Sequence, residues 1–205
     1  MENSHTKTQL QSRGAAIYDL WMIFKLFRKT ANRTQFRISF LKQFWTKPDG
    51  EKIRVCLRYH RAQAQRKHFL HEAELSASLN HENILHLYGV ILPGLYTDSV
   101  ALVMDFAEYG NVLEAMPQQS VFSLIQIVTQ IASALEYLDS KNLMPLADNC
   151  CLHICGSTGQ IKLGGMWGCY SRDKLNEPQF NSGFNVYTRS EVVVWFGQTA
   201  KELFS

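Results

Sequence analysis

Between Arg33 and Tyr59 the chain alternates apolar and polar residues with a period of two. Phe36, Ile38 and Phe40 interleave with Arg37, Ser39 and Leu41, and Ile53, Val55 and Leu57 interleave with Arg54, Cys56 and Arg58. Successive strand side chains point to opposite faces, so both runs predict half-buried strands. Lys47-Pro48-Asp49-Gly50 lies between them and carries a turn signature. The period then lengthens. A helix is predicted from about Gln63 to Leu79, with Phe69, Ala73 and Leu79 among its apolar positions. Ile84–Val90 and Val100–Phe106 are strand candidates. From Ser123 to Leu138 apolar residues fall at Leu124, Ile127, Val128, Ile131, Ala134, Leu135 and Leu138, the spacing of a packed helix. Cys151–Cys155 and Gln160–Leu163, split by Gly156-Ser157-Thr158-Gly159, predict a short hairpin. Ahead of all this, Ile17–Lys29 is apolar on nearly every side. It is expected to pack against the β-rich part rather than lie on a membrane, where a clean polar face is needed. Residues 1–16 are polar. The pattern is that of an α+β chain, β-rich first and helix-rich second.

At 205 residues and 46% hydrophobic the chain can bury a core. Five cysteines at irregular spacing argue against a secreted disulfide framework, and a cytoplasmic setting is expected. The strongest apolar run, Leu20-Trp21-Met22-Ile23-Phe24, is broken by Lys25 and is too short for a membrane span; no signal-peptide pattern precedes it. The net charge of +3 hides an asymmetry. Residues 1–70 carry 15 Lys and Arg against 4 Asp and Glu, whereas residues 71–205 carry 6 against 14. Such a basic half is either a solvated surface or a footprint for an acidic lipid or protein surface. No nucleic-acid-binding motif accompanies it. Cys150, Cys151, His153 and Cys155 are too close together on one strand to close a tetrahedron around zinc, so no metal is expected there.

Four stretches carry a family resemblance. Phe69-Leu70-His71-Glu72-Ala73, then His81-Glu82-Asn83-Ile84-Leu85-His86-Leu87-Tyr88-Gly89-Val90, then Val103 to Leu113, then Ile127 to Leu138 stand in order. They resemble the C helix, the H-x-N-I-x-x-L-Y-G-V strand, the inter-lobe hinge and the E helix of a protein kinase domain of the tyrosine-kinase type. The resemblance covers about residues 33–205 and is dense between 69 and 144. Tyr88-Gly89-Val90, Ser133-Ala134-Leu135, Lys141-Asn142-Leu143 and Ser171-Arg172-Asp173 are similar to the Janus-kinase pseudokinase region, with the activated Cdc42-associated kinases as a second resemblance. It implies a bilobal fold: an extension at 1–32, a β-rich N-lobe with the C helix at 33–103, and an incomplete helical C-lobe at 104–205.

Phosphoryl transfer in that family needs a phosphate cradle, metal ligands and a base. The phosphate loop is expected between about Thr30 and Phe44, a span without glycine, where backbone amides cannot approach phosphates closely. The family's H-R-D triplet falls on Pro145-Leu146-Ala147. Its catalytic Asp becomes Ala147, its magnesium-binding Asn becomes Leu152, and the aspartate of D-F-G becomes Gly165 in Gly165-Met166-Trp167. Asp148 and Asn149 are the nearest stand-ins. The strand lysine becomes Arg58, which is expected to pair with Glu72, the C-helix glutamate. Cys56 and Ile154 would enclose an adenine, Met104 is the gatekeeper, and Asp105 and Ala107 would face the adenine edge. An internal column would run through Leu87, Ser76, Met166 and Pro145.

The resemblance therefore implies a pseudokinase: a regulatory or protein-binding module, with ATP binding weak or absent and magnesium not expected. Its partners would be proteins, a neighbouring kinase domain among them. An atypical, weakly active kinase that binds ATP is the alternative reading, and a decaying copy with no fold of its own is the third. Tyr170 is expected in an exposed loop. Tyr187 to Ser205 resembles the F helix, with the family's buried Asp at Val192 or Glu191. Because the later helices are missing, Val192, Val193, Val194, Trp195, Leu203 and Phe204 are expected to form an exposed apolar face. Self-association, a partner, or the rest of a longer product would cover it.

Overall fold

The computed structural model describes residues 16–18, 38–47, 50–60, 66–92, 100–115, 124–156, 158–174 and 187–204. They form two compact units. One contains the described residues up to Asn80 together with His86–Phe106; the other contains His81–Leu85 and the residues from Ala107 onward.

The first unit is a five-stranded sheet with one helix. Its elements are β1 (Ala16–Tyr18), β2 (Ile38–Thr46), β3 (Lys52–His60), α1 (Arg66–Ala77), β4 (Leu87–Ile91) and β5 (Val100–Asp105). Strand order is β1-β4-β5-β3-β2. β2 and β3 pair antiparallel in unbroken register from Ile38 opposite His60 to Thr46 opposite Lys52. The turn closes through Lys47 N to Glu51 O (2.8 Å) and Gly50 N to Lys47 O (2.9 Å), with Gly50 at φ 89°, a conformation that favours glycine. Alternation sorts the strands into two cores. Leu87, Val90 and Leu102 pack with Phe69 and Ala73 of α1. Val55, Leu57, Ile91, Ala101 and Val103 form a second cluster, with Trp45, Ile53 and Tyr88 against it. Adjacent residues such as Val90 and Ile91 fall in different clusters, so the sheet is apolar on both faces. Of the apolar stretch Ile17–Lys29, Ile17 and Tyr18 are in β1, and Asp19–Lys29 lies outside the described residues, as do residues 30–37 of the expected phosphate-loop span.

The second unit contains β6 (Gly110–Asn111), α2 (Val112–Ala115), α3 (Leu124–Ser140), β7 (Leu143–Met144), β8 (Leu152–Cys155), β9 (Gln160–Leu163), β10 (Tyr170–Ser171) and α4 (Arg189–Leu203), with single 3₁₀ turns at Asn149–Cys151, Met166–Gly168 and Arg172–Lys174. β6, β8 and β9 form a three-stranded sheet in that order, and β7 pairs with β10. Ile127, Ile131, Ala134 and Leu138 give α3 its buried stripe. Together with Leu152, Ile154, Ile161 and Leu163 of the hairpin they are almost fully buried.

The expected strand Ile84–Val90 begins only at Leu87. His81–Leu85 instead serves the second unit. His81 stacks on Tyr137 at 4.7 Å, and its Nδ1 accepts from Asn83 N (3.1 Å). The Asn83 amide donates to Ile161 O (2.9 Å) and to the Gln130 side chain (3.1 Å). Leu163 N donates to Asn83 O at 2.8 Å, so this segment is tied to the hairpin through its backbone too. Buried polar groups need such partners, and here they hold α3 and β9 to one short segment.

Candidate functional site

The residues that the kinase resemblance singles out are divided between the units. In the first unit β3 directs Cys56 and Arg58 to the face that α1 covers, and α1 meets them with Phe69, Glu72, Ala73 and Ser76, spaced for one side of a helix. Arg58 forms an ion pair with Glu72, both buried, and its guanidinium carbon lies 4.9 Å from the centre of the Phe69 ring. The forked cation is thus held by a carboxylate on one side and a ring face on the other. Burial pushes the Cys56 thiol up to about 11, against a smaller opposing effect of the Arg58 charge. Met104, opposite Cys56 on β5, is buried. The Asp105 carboxylate accepts from His86 N and from the Tyr88 hydroxyl, each at 2.8 Å, which fastens the end of β5 to β4. Ser76 is buried, and its hydroxyl finds no hydrogen-bond partner among the described residues.

In the second unit Ala107 leads into β6, and Ile154 is fully buried in β8, its carbonyl accepting from Tyr109 N (3.4 Å). Ala147 and Leu152 are buried, Leu152 completely. Gly165 has φ 75°, a region L side chains rarely adopt, and a Cβ placed there would lie 2.3 Å from Cys151 Sγ. No side chain enters that position unless Cys151 moves. Ala147, Leu152 and Gly165 offer no side-chain carboxylate or amide oxygen, the ligands that a hard cation such as magnesium takes.

Asn149 has a different occupation. Its Oδ1 accepts from Trp195 Nε1 (2.9 Å) and Thr199 Oγ1 (2.7 Å), its Nδ2 donates to Glu202 (3.2 Å), and its carbonyl accepts from Asn111 (2.6 Å). Trp195, Thr199 and Glu202 lie one turn apart on α4, so one amide side chain spans the inner side of that helix. The sequence offers Asn149 only as a stand-in metal ligand; its anchoring role depends on residues far along the chain.

Two expectations need correction. Tyr170 is buried rather than exposed, its hydroxyl donating to the Tyr187 carbonyl, and burial raises its pKa. On α4, Val192, Trp195 and Leu203 face inward and are buried, whereas Val193, Val194 and Phe204 are each more than half exposed. Of the two candidates for a buried acid, Val192 is inside but apolar. Glu191 is exposed, and its carboxylate accepts from Thr188 N while Glu191 N donates to the Thr188 side chain (3.3 Å). The Thr188 N–H, and then the Thr188 hydroxyl donating to the same carboxylate (2.7 Å), hold Glu191 below the usual carboxylate range, and the reciprocal bonds form a capping box at the start of α4. A second polar junction lies beside it. Arg172 reaches the Asp139 carboxylate (3.1 Å) and carbonyl (2.7 Å), and Arg189 reaches the same carboxylate (2.9 Å). Among the described residues no group of three His, Cys, Asp or Glu side chains is placed to hold a metal, and no helix is long and apolar enough to cross a membrane.

Residues 37–163, more than half of the chain, match the family model for protein tyrosine and serine/threonine kinases. The chain belongs to the protein kinase family. It is similar to an activated Cdc42 kinase-like protein of Drosophila melanogaster, with 35% identity over 105 residues, 46% of this chain and 8% of that protein. Similarity to the NT-3 growth factor receptor of Rattus norvegicus is 30% over 144 residues, 58% of this chain and 16% of the receptor. The transforming protein Abl of Abelson murine leukemia virus is 34% identical over 83 residues, 37% of this chain and 10% of that protein. The kinase-like chain therefore spans less than a fifth of these relatives' length. It is a tyrosine-kinase-type member with the α+β, two-unit fold of that family.

Proposed function

We propose that this kinase-like domain transfers no phosphate and works as a pseudokinase, a regulatory or protein-binding module in intracellular signalling. One observation carries the reading. The positions that align with the family's base and two metal ligands hold Ala147, Leu152 and Gly165, and the packing at Leu152 and Gly165 is closed to larger or polar replacements. Phosphoryl transfer rests almost wholly on positioned charge, so losing all three groups together removes the chemistry rather than slowing it. Nucleotide binding is weak or absent on the same reading, because the span from Thr30 to Phe44 has no glycine that would let backbone amides approach the phosphates. The partners are proteins, a neighbouring kinase domain being the first to test.

The ion pair also favours a second reading, an atypical, weakly active kinase, since it keeps a cation on β3 and a carboxylate on α1 in contact. A thermal shift with ATP, with and without Mg²⁺, separates the two. A ligand at a hundred times its Kd adds about 2.7 kcal/mol of stability, a clear rise in melting temperature. No Mg²⁺-dependent shift at millimolar ATP is expected. Phosphate transfer at high protein concentration that Glu72→Ala abolishes would refute the pseudokinase reading.

A further inference from the structure

The β2–β3 hairpin is longer than the strand beside it. β2 and β3 pair from Ile38 opposite His60 to Thr46 opposite Lys52, yet β5 joins β3 only between Val55 and His60. The last rungs, Phe44 opposite Arg54, Trp45 opposite Ile53 and Thr46 opposite Lys52, run on past the end of β5 with the turn that closes them.

Alternation divides these rungs between two faces. Trp45 and Ile53 turn to the core cluster of Val55, Leu57, Ile91, Ala101 and Val103. Phe44, Thr46, Lys52 and Arg54 share the other face, and all four are exposed. Phe44 is 57% exposed, and its neighbour is a cation: the Arg54 guanidinium carbon lies 5.7 Å from the ring centre. Across the turn Glu51 pairs with Lys47, which leaves Lys52 and Arg54 to charge the face among the described residues. By sequence, residues 42–54 hold four Lys and Arg against Asp49 and Glu51, within a half of the chain that holds 15 against 4.

The complement of such a surface is anionic. An acidic polypeptide would use the two cations and leave the ring in water. A lipid surface uses both, since aromatic rings settle at the boundary between headgroups and acyl chains while Lys and Arg meet anionic headgroups. A hairpin that outruns its sheet also reaches a flat surface end-on. We propose that the Phe44–Arg54 hairpin docks the protein onto an anionic lipid surface, with Phe44 entering among the headgroups and Lys52 and Arg54 against their negative charges. The site lies wholly in the first unit and acts whether or not the domain transfers phosphate.

The test mixes the full chain with vesicles of phosphatidylcholine alone, or of phosphatidylcholine with phosphatidylserine, and reads the bound fraction by sedimentation. Binding is expected to the mixed vesicles only, and to weaken as salt is raised. Phe44→Ala, and separately the double variant Lys52→Glu, Arg54→Glu, are each expected to weaken it at least about tenfold. Both should keep a cooperative melt, because the substituted side chains are exposed. No binding to the mixed vesicles overturns the proposal, as does binding that either variant leaves unchanged. Soluble polyglutamate bound as tightly as the vesicles, with Phe44→Ala without effect on it, also overturns the proposal and assigns the face to an acidic protein. If a variant loses its cooperative melt, acylation of Lys52 in the unaltered chain decides. Mixed vesicles are expected to slow it severalfold more than they slow acylation of Lys201, an exposed lysine of α4, and equal slowing or none overturns the docking.

Discussion

Arg58 is a planar, permanently charged fork, and its surroundings use that shape: Glu72 takes the charge and Phe69 stacks beneath it. Removing one member of a buried pair strands the other, so Glu72→Ala is expected to lower stability by about 3–5 kcal/mol, read from the urea midpoint. Arg58→Lys is expected to cost less, because the charge survives while the fork and the stacking are lost. At Gly165 the prediction reverses intuition. Gly165→Asp introduces the carboxylate that the kinase resemblance places there, yet the variant is expected to melt lower and gain no Mg²⁺ response, because the positive φ and Cys151 Sγ oppose any Cβ. Adding Cys151→Ala should recover part of the loss in melting temperature. The match of Ala147, Leu152 and Gly165 to the base and metal ligands is an expectation that spacing after the Ile127–Leu138 helix supplies. That Gly165 resists a side chain is not legible, since the obstruction comes from Cys151 on a neighbouring element.

Among elements, the strands and helices whose periodicity was unbroken are those the sequence describes best. β3, α3 and the β8–β9 hairpin fall within a residue or two of the alternation and the 3.6 period, whereas β2 runs on to Thr46, five residues past the alternation that ends at Leu41. α4 is different. Its apolar residues surround much of the helix, so periodicity alone does not say which side faces inward; Trp195 and Thr199 do so because Asn149 receives their hydrogen bonds. The partner of β1 is equally invisible, because strand pairing is decided far from the strand. The start of α4 is held twice, by the Thr188–Glu191 capping box and by Arg189 on Asp139. Thr188→Ala is expected to destabilise by about 1 kcal/mol, the usual effect of losing a cap. Asp139→Asn removes the charge that both Arg172 and Arg189 contact, and is expected to speed hydrogen exchange at Arg172 and at the first turn of α4 while leaving β8 unchanged.

For the whole molecule, alkaline stability gathers the effects of several buried acids. Burial pushes the Cys56 thiol up to about 11 and the Cys169 thiol up to about 12, from an ordinary 9.0, and raises Tyr170 as well. Above pH 9.0 the unfolded chain releases thiol protons that the folded chain keeps, so the unfolded state binds fewer protons and stability falls as pH rises. The contribution is complete below pH 9.0 and is lost as pH climbs through about 11 to about 12; urea midpoints across that range check it, and Cys169→Ala should lessen the fall. The division into two units was legible as a change from β-rich to helix-rich pattern. That His81–Leu85 leaves the first unit for the second was not, because its bonds run to Ile161, Leu163 and Gln130. The closed packing around Gly165 and Leu152 has an evolutionary consequence. On the pseudokinase reading it acts as a ratchet: each catalytic group, introduced alone, meets a steric or desolvation penalty before any catalytic gain, so activity requires several coordinated changes in one lineage.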